Sequence, residues 1–217
     1  MNNKKPPYYV HLAMNSKPKK STYHRKLRNF LIDLNKDLLI IDEKMNSMYV
    51  YDQYDDLYFY IMALEDRRFL KHGGIDLKSL LREFLRFVSF QKHGGASTID
   101  MQMVRTITNF KEQTFFRKFY EMILAYIVNY RYSKKQIIDC YLEHAFFGSR
   151  IIGMQSVLRS FEVSSVAQLS DWQKALIAAA LQKPKPLNPK DSWKKSISTR
   201  ALYAQEIRSR MMKNSKY

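Results

Sequence analysis

Apolar residues recur along this chain at three- and four-residue intervals, the spacing of helices with one buried face. Leu27, Phe30, Leu31 and Leu34 mark one side of a helix over 23–39, with Ser21-Thr22 as its cap. Residues 40–53 are ambiguous, and a short extended piece is expected around 48–51. A helix from about residue 54 places Glu65 near its C-terminal end, where His72-Gly73-Gly74 breaks the chain direction. Asp76 reads as the N-cap of a helix to about residue 91. Its apolar face is Leu77, Leu80, Leu81, Phe84, Leu85 and Val88. Phe87 and Phe90 fall off that face, beside Arg82, Arg86 and Lys92. Two readings of this helix stay open: a core helix with stray aromatics, or one lying on a membrane surface, where aromatics and cations share a boundary.

Further along, His93-Gly94-Gly95 reads as a turn, and Ser97-Thr98 sits where the next helix starts. Thr114 caps a helix to about 131. Ser133-Lys134-Lys135-Gln136 and Ser170-Asp171-Trp172-Gln173 have the spacing of capping boxes and open helices over about 134–146 and 171–183. Residues 151–161 read as a further helix. Pro184, Pro186 and Pro189 form a stiff exit before a basic, amphipathic last helix to about 213. No internal repeat is visible. The pattern predicts one all-α unit over 21–217 behind a basic, weakly ordered arm over 1–20.

Composition narrows the class without choosing a function. The chain has 217 residues, 46% of them hydrophobic, enough for one domain with a real core. Cys140 is the single cysteine, which excludes disulfides and thiolate zinc sites within one chain. The net charge of +17 suits nucleic acid, anionic lipid headgroups or phosphorylated substrates alike. No apolar run approaches the ~18 residues that cross a bilayer. Residues 1–20 carry five lysines but no apolar core, so they do not read as a signal peptide. If Met1 is the true start, the protein is expected to meet membranes from the side or not at all.

Candidate chemistry concentrates between Glu65 and Glu121. Two carboxylates, separated by a glycine-hydroxyl turn and a run of cations, point to acid/base work on a substrate carrying phosphate. Ser97-Thr98 opens a helix whose N-terminus offers N–H groups and hydroxyls to an anion. Arg117 and Lys118 lie four and three residues before Glu121, so all three share a helix face. The plainer reading is two surface acids in a basic helical protein.

The order of these elements resembles the peptidoglycan glycosyltransferases, the transglycosylase module of bifunctional penicillin-binding proteins and its monofunctional relatives. The likeness covers roughly residues 54–189. It rests on Glu65-Asp66-Arg67-Arg68-Phe69-Leu70-Lys71-His72-Gly73-Gly74, on Gly95-Ala96-Ser97-Thr98-Ile99-Asp100-Met101-Gln102, and on Arg117-Lys118-Phe119-Tyr120-Glu121. Lys135 to Glu143, then Phe147-Gly148, and the spacing from Leu169-Ser170 to Asn188-Pro189 extend it. It departs from the family pattern at Ala96, Met101, Gln113 (where Lys111 is a substitute) and Glu143, and residues 1–53 hold no run that reads as a transmembrane anchor.

The resemblance implies an all-α, lysozyme-like glycosyltransferase fold with a smaller membrane-facing lobe. It implies polymerisation of lipid II, with release of undecaprenyl pyrophosphate and inversion at the anomeric carbon. Glu65 would be the general base, and Glu121 would steady the pyrophosphate end of the donor. Arg105, Arg117 and Lys118 would neutralise the leaving group, while Ser97, Thr98 and Gln102 line the cleft. Asp66, Arg68 and Arg82 join the substrate-binding set. Asp66 is also expected to push the Glu65 carboxyl upward. No tightly bound cofactor is implied, though a divalent cation, Mg2+ or Mn2+, has a place beside Glu121. The partners implied are lipid II and the growing glycan strand, an anionic membrane surface on the outer face of the cytoplasmic membrane, and other cell-wall synthases, with no nucleic acid. A relative that binds glycan or synthases without turnover, a lytic glycosidase and a nucleic-acid binder remain as alternatives.

Overall fold

The structure is a computed structural model that describes residues 22–48, 55–89, 95–109 and 114–214. Among these residues the helices are α1 (Thr22–Ser47), α2 (Asp55–Glu65), α3 (Leu77–Val88), α4 (Ile99–Thr108), α5 (Phe115–Arg131), α6 (Lys134–His144), α7 (Gly153–Ser160), α8 (Asp171–Gln182) and α9 (Asp191–Asn214). Strands β1 (Phe146–Gly148) and β2 (Ile151–Ile152) pair antiparallel, and short 3-10 turns lie at Phe69–Lys71 and Val166–Gln168. The class is all-α, as the sequence predicts. Among the described residues the division into two compact units falls inside α1, between Lys36 and Asp37.

In the larger unit, α2, α8 and α9 pack on one another. Small side chains line these helices: Ala175, Ala178 and Ala179 on α8 and Ala201 and Ala204 on α9 are buried, as are Leu57 and Ile61 of α2. A second cluster joins α4 to α5 and α6, around Met101, Val104, Leu124, Val128 and Ile137. The helix starts follow local chemistry. Thr98 accepts from Met101 N and Thr114 from Arg117 N, while Ser133/Gln136 and Ser170/Gln173 close reciprocal capping boxes. Each such cap contributes about 0.5–2 kcal/mol.

Three expectations change. The first helix continues beyond 39 to Ser47, where Ile41 and Met45 are buried in the larger unit. Of the extended piece expected over 48–51, residues 49–51 lie outside the described residues, as do the arm at 1–20, Phe90 and Lys92. The helix expected from 151 begins only at Gly153, because Ile151–Ile152 pairs with β1 in a hairpin. Gly148 makes that hairpin possible: at φ +155 a Cβ there would sit 2.5 Å from Lys185 O. That close approach lets Ser149 N donate to Lys185 O at 2.7 Å and Lys185 N to Phe147 O at 2.9 Å, which ties the proline-rich exit to the hairpin.

The third change concerns α3. Its apolar face does not enter the core: Leu77 is 72% exposed, and Leu81, Phe84, Leu85 and Val88 are exposed beside it. Among the described residues α3 packs broadly against no other element. The core reading of this helix is therefore corrected.

One buried ion pair ties α4 to α6. Asp100 is fully buried, and its two oxygens accept from Lys134 Nζ at 3.0 and 2.9 Å and from Asn129 Nδ2 at 2.9 Å. Lys134 also lies over the Phe69 ring, 4.3 Å from its centroid. Removing one partner strands a buried charge. Lys134→Met is expected to lower unfolding free energy by about 3 kcal/mol, measured by denaturant titration; a loss under ~0.5 kcal/mol would show that water or Asn129 alone satisfies Asp100.

Candidate active site

Helix α2 ends at Glu65, and the next residue fixes the turn that follows. Asp66 is buried; its Oδ1 accepts from Arg68 N at 3.2 Å, and its Oδ2 accepts from Ile99 N at 3.2 Å and contacts His72 Nε2 at 2.9 Å. The 66–72 turn is thereby fastened to the start of α4. Gly74, at φ +85, comes so close to α5 that a Cβ would lie 2.4 Å from Ala125 O, and its carbonyl accepts from Thr98 Oγ1 at 2.7 Å. Glu65 is thus presented to a cavity of ≈610 Å3, whose wall also includes Asp66, Arg68, Arg82, Ser97 and Thr98.

The Glu65 carboxylate is largely buried and unequally supported. Its Oε2 accepts from Gln102 Nε2 at 2.5 Å, and Gln102 Oε1 in turn accepts from Tyr141 OH at 2.6 Å. Burial pushes the Tyr141 hydroxyl far upward, so it keeps its proton and fixes which end of the Gln102 amide meets Glu65. Glu65 Oε1 is buried without a hydrogen bond among the described residues. Burial raises the Glu65 carboxyl above its ordinary value, against the opposing pull of Gln102, Gln182, Arg200 and Arg105. The adjacent Asp66, expected to be the cause, is occupied elsewhere.

A second group stands on α4 and α5. Glu121 is buried, with Arg117 Nε 3.3 Å from its Oε1 and Lys118 Nζ 3.9 Å from its Oε2. Lys118 Nζ donates to Ser97 Oγ at 2.6 Å, which joins this group to the cavity wall. Burial lowers the Lys118 ammonium, and the neighbouring charges of Arg105 and Arg117 lower it further against Glu121. Arg117 and Lys118 therefore flank one buried carboxylate, and the charge of Arg105 acts on Lys118. Gln113 and Lys111 lie outside the described residues.

The remaining predicted residues serve the cavity in different ways. Arg68 Nε pairs with Asp76 Oδ2 at 3.0 Å, and Arg82 Nη2 reaches Ser79 Oγ at 3.3 Å with its head half in solvent. Thr98 lines the wall, yet its buried hydroxyl is spent on Gly74 O and the α4 cap. The sequence reading gave no role to Tyr141, which sits in one of the quoted motifs, nor to Gln182 and Arg200, which no motif marked.

The donor sets do not suit a divalent cation. Beside Glu121 stand two cations, and among the described residues no group of metal-ligand side chains includes it. Asp66, His72 and Asp100 bring ligand atoms within 4.8 Å of one another, but Lys134 already holds both Asp100 oxygens. A lysine ammonium fills the place of an ion there.

A model of the transglycosylase family matches residues 36–208. The chain is 35% identical over 136 residues to penicillin-binding protein 1A of Rickettsia bellii, a match covering 61% of this chain and 17% of that protein. It is 33% identical over 147 residues to penicillin-binding protein 2a of Streptococcus pneumoniae, covering 68% and 20%. It is 32% identical over 124 residues to the biosynthetic peptidoglycan transglycosylase of Vibrio parahaemolyticus, covering 57% and 55%. These matches span about a fifth of the penicillin-binding proteins and about half of the Vibrio protein. The family match takes in Glu65, Glu121 and the cations between them, and on it the chain belongs to the transglycosylase family.

Proposed function

We propose that this domain polymerises lipid II into glycan strands, releasing undecaprenyl diphosphate with inversion at the donor's anomeric carbon. The carrying observation is Glu65 Oε1, a buried carboxylate oxygen left without a described partner in a residue that lines the cavity. Glu65 takes the proton of the acceptor's 4-hydroxyl as that oxygen attacks the donor's C1. The bond from C1 to the diphosphate oxygen breaks, and its electron pair leaves with the diphosphate. That leaving group is a weak base and needs positive charge rather than a proton donor. Lys118, reached from the cavity through Ser97, supplies it together with Arg117 and Arg105. Glu121 holds Arg117 and Lys118 at the site. The Vibrio relative's name supports peptidoglycan as the product.

A lipid-tailed substrate arrives from a bilayer, and α3 has the surface to meet one. Among the described residues no helix is long and apolar enough to cross a membrane. The exposed Leu77, Leu81, Phe84, Leu85 and Val88 share α3 with Lys78, Arg82 and Arg86, and Phe115, at 96% exposed, opens α5. Apolar side chains in the interface with cations at headgroup level bind anionic lipid. Leu81→Ser/Phe84→Ser is expected to weaken binding to anionic vesicles by about tenfold or more, read by flotation; unchanged flotation would remove α3 from membrane contact.

Purified protein given labelled lipid II is expected to make glycan polymer. Cleavage of preformed glycan strands with no polymer from lipid II would overturn this reading in favour of a glycosidase.

A further inference from the structure

The last turn of α2 carries Glu65, and its terminal carbonyls have no partner within the helix. Two side chains meet them. Arg67 Nε donates to Ala63 O at 3.2 Å, and Gln182 Nε2, from α8, donates to Leu64 O at 2.8 Å. Both are held in turn from α9: Arg67 Nη2 donates to Tyr203 OH at 2.5 Å, and Arg200 Nε donates to Gln182 Oε1 at 2.5 Å. An amide has one acceptor and two donors. With its oxygen taken by Arg200, Gln182 must turn its NH2 toward α2. It donates to Leu64 O, and its side chain favours the charged form of Glu65.

We propose that Arg200, acting through Gln182, is a positioning residue for Glu65: it clamps the turn that carries the carboxylate and gives that carboxylate a positive neighbour. The relay rests on the reading of Glu65 as the base, and it explains how a buried carboxylate is kept able to accept a proton. Other groups face Glu65 too. Arg105 and Gln102 come from α4, Tyr141 from α6, and Asp66, Arg67 and Arg68 from the adjoining turn. Asp66 is bound to His72 and Ile99, Arg68 to Asp76, and Arg67 to Ala63 and Tyr203, so each is committed elsewhere. Arg105 and Arg200 are the cations that act on Glu65, and Arg200 is the one connected to its helix by a chain of hydrogen bonds.

The test is a direct titration of Glu65 in the full chain by carbon NMR of labelled glutamate carboxyls, with the resonance assigned by its loss in Glu65→Gln. In Arg200→Met the Glu65 midpoint is expected to rise by at least about half a pH unit. Arg200→Lys is expected to restore most of that shift, and Gln182→Leu to raise the midpoint as well. The acid limb of polymerisation should move in step, with KM for lipid II within about threefold of the parent, since only a group on the base moves a pH profile in this way. A midpoint within ~0.2 pH unit of the parent, in an Arg200→Met protein that melts cooperatively, overturns the relay. If Arg200→Met does not fold, an unmoved midpoint in Gln182→Leu overturns it instead. A parent protein that makes no polymer, yet shows these NMR shifts, would sink the lipid II reading and leave the relay standing.

Discussion

Replacing Glu65 with Gln is expected to slow polymer formation by about 100- to 10,000-fold while the protein stays folded and still retains lipid II. The amide has nearly the shape of the carboxylate and can accept from Gln102 Nε2 in its place, but it takes up no proton. The same variant carries a second expectation about stability. Burial raises the folded-state value of the Glu65 carboxyl above its ordinary one, so folding disfavours the charged form. That cost is present at neutral pH, shrinks as pH falls through the raised value, and is gone below the unfolded value. At pH 7 Glu65→Gln should therefore melt no lower than the parent, with any gap closing in acid. A variant that keeps more than about a tenth of the parent rate would remove Glu65 from the mechanism.

The next largest effect falls on the cations. Lys118→Met is expected to lower kcat by about 100-fold or more, the scale seen when a preorganised donor to a developing charge is lost. Lys118 is placed for that role, since its Nζ bonds Ser97 in the cavity wall and stays near Glu121. Its burial already disfavours the ammonium, so removing it relieves a desolvation cost and should change melting by only a few degrees. Arg105→Met is expected to act in the same direction. Parallel losses of melting temperature and rate would instead mark both as parts of the framework.

The legible parts of the sequence were those written in short-range chemistry. Ser133/Gln136 and Ser170/Gln173 declared their helix starts because a capping box needs residues at fixed offsets. Glu65, Arg117, Lys118 and Glu121 were legible because their motifs keep type and spacing. The cause of the raised Glu65 carboxyl was not. Asp66 neighbours Glu65 in sequence, yet its side chain is drawn to His72 and Ile99 N, so burial rather than its charge raises Glu65. Amphipathicity in α3 revealed an apolar face without saying what covers it, and the face proved exposed. Ile151 and Ile152 fit a helical period, but these β-branched residues entered a hairpin opposite Gly148 and Phe146. Gln182 reaches Leu64 across 118 positions of chain, a contact that no local period encodes.

Glycosyl transfer from a diphosphate-linked donor is the central step. The direct measurement follows, in one reaction of the parent protein with doubly labelled lipid II, the glycosidic bonds formed and the undecaprenyl diphosphate released. One carrier diphosphate is expected for each new bond, in polymer that Glu65→Gln does not make. Carrier release with only soluble disaccharide-peptide, or no release from a folded and membrane-bound protein, would contradict it.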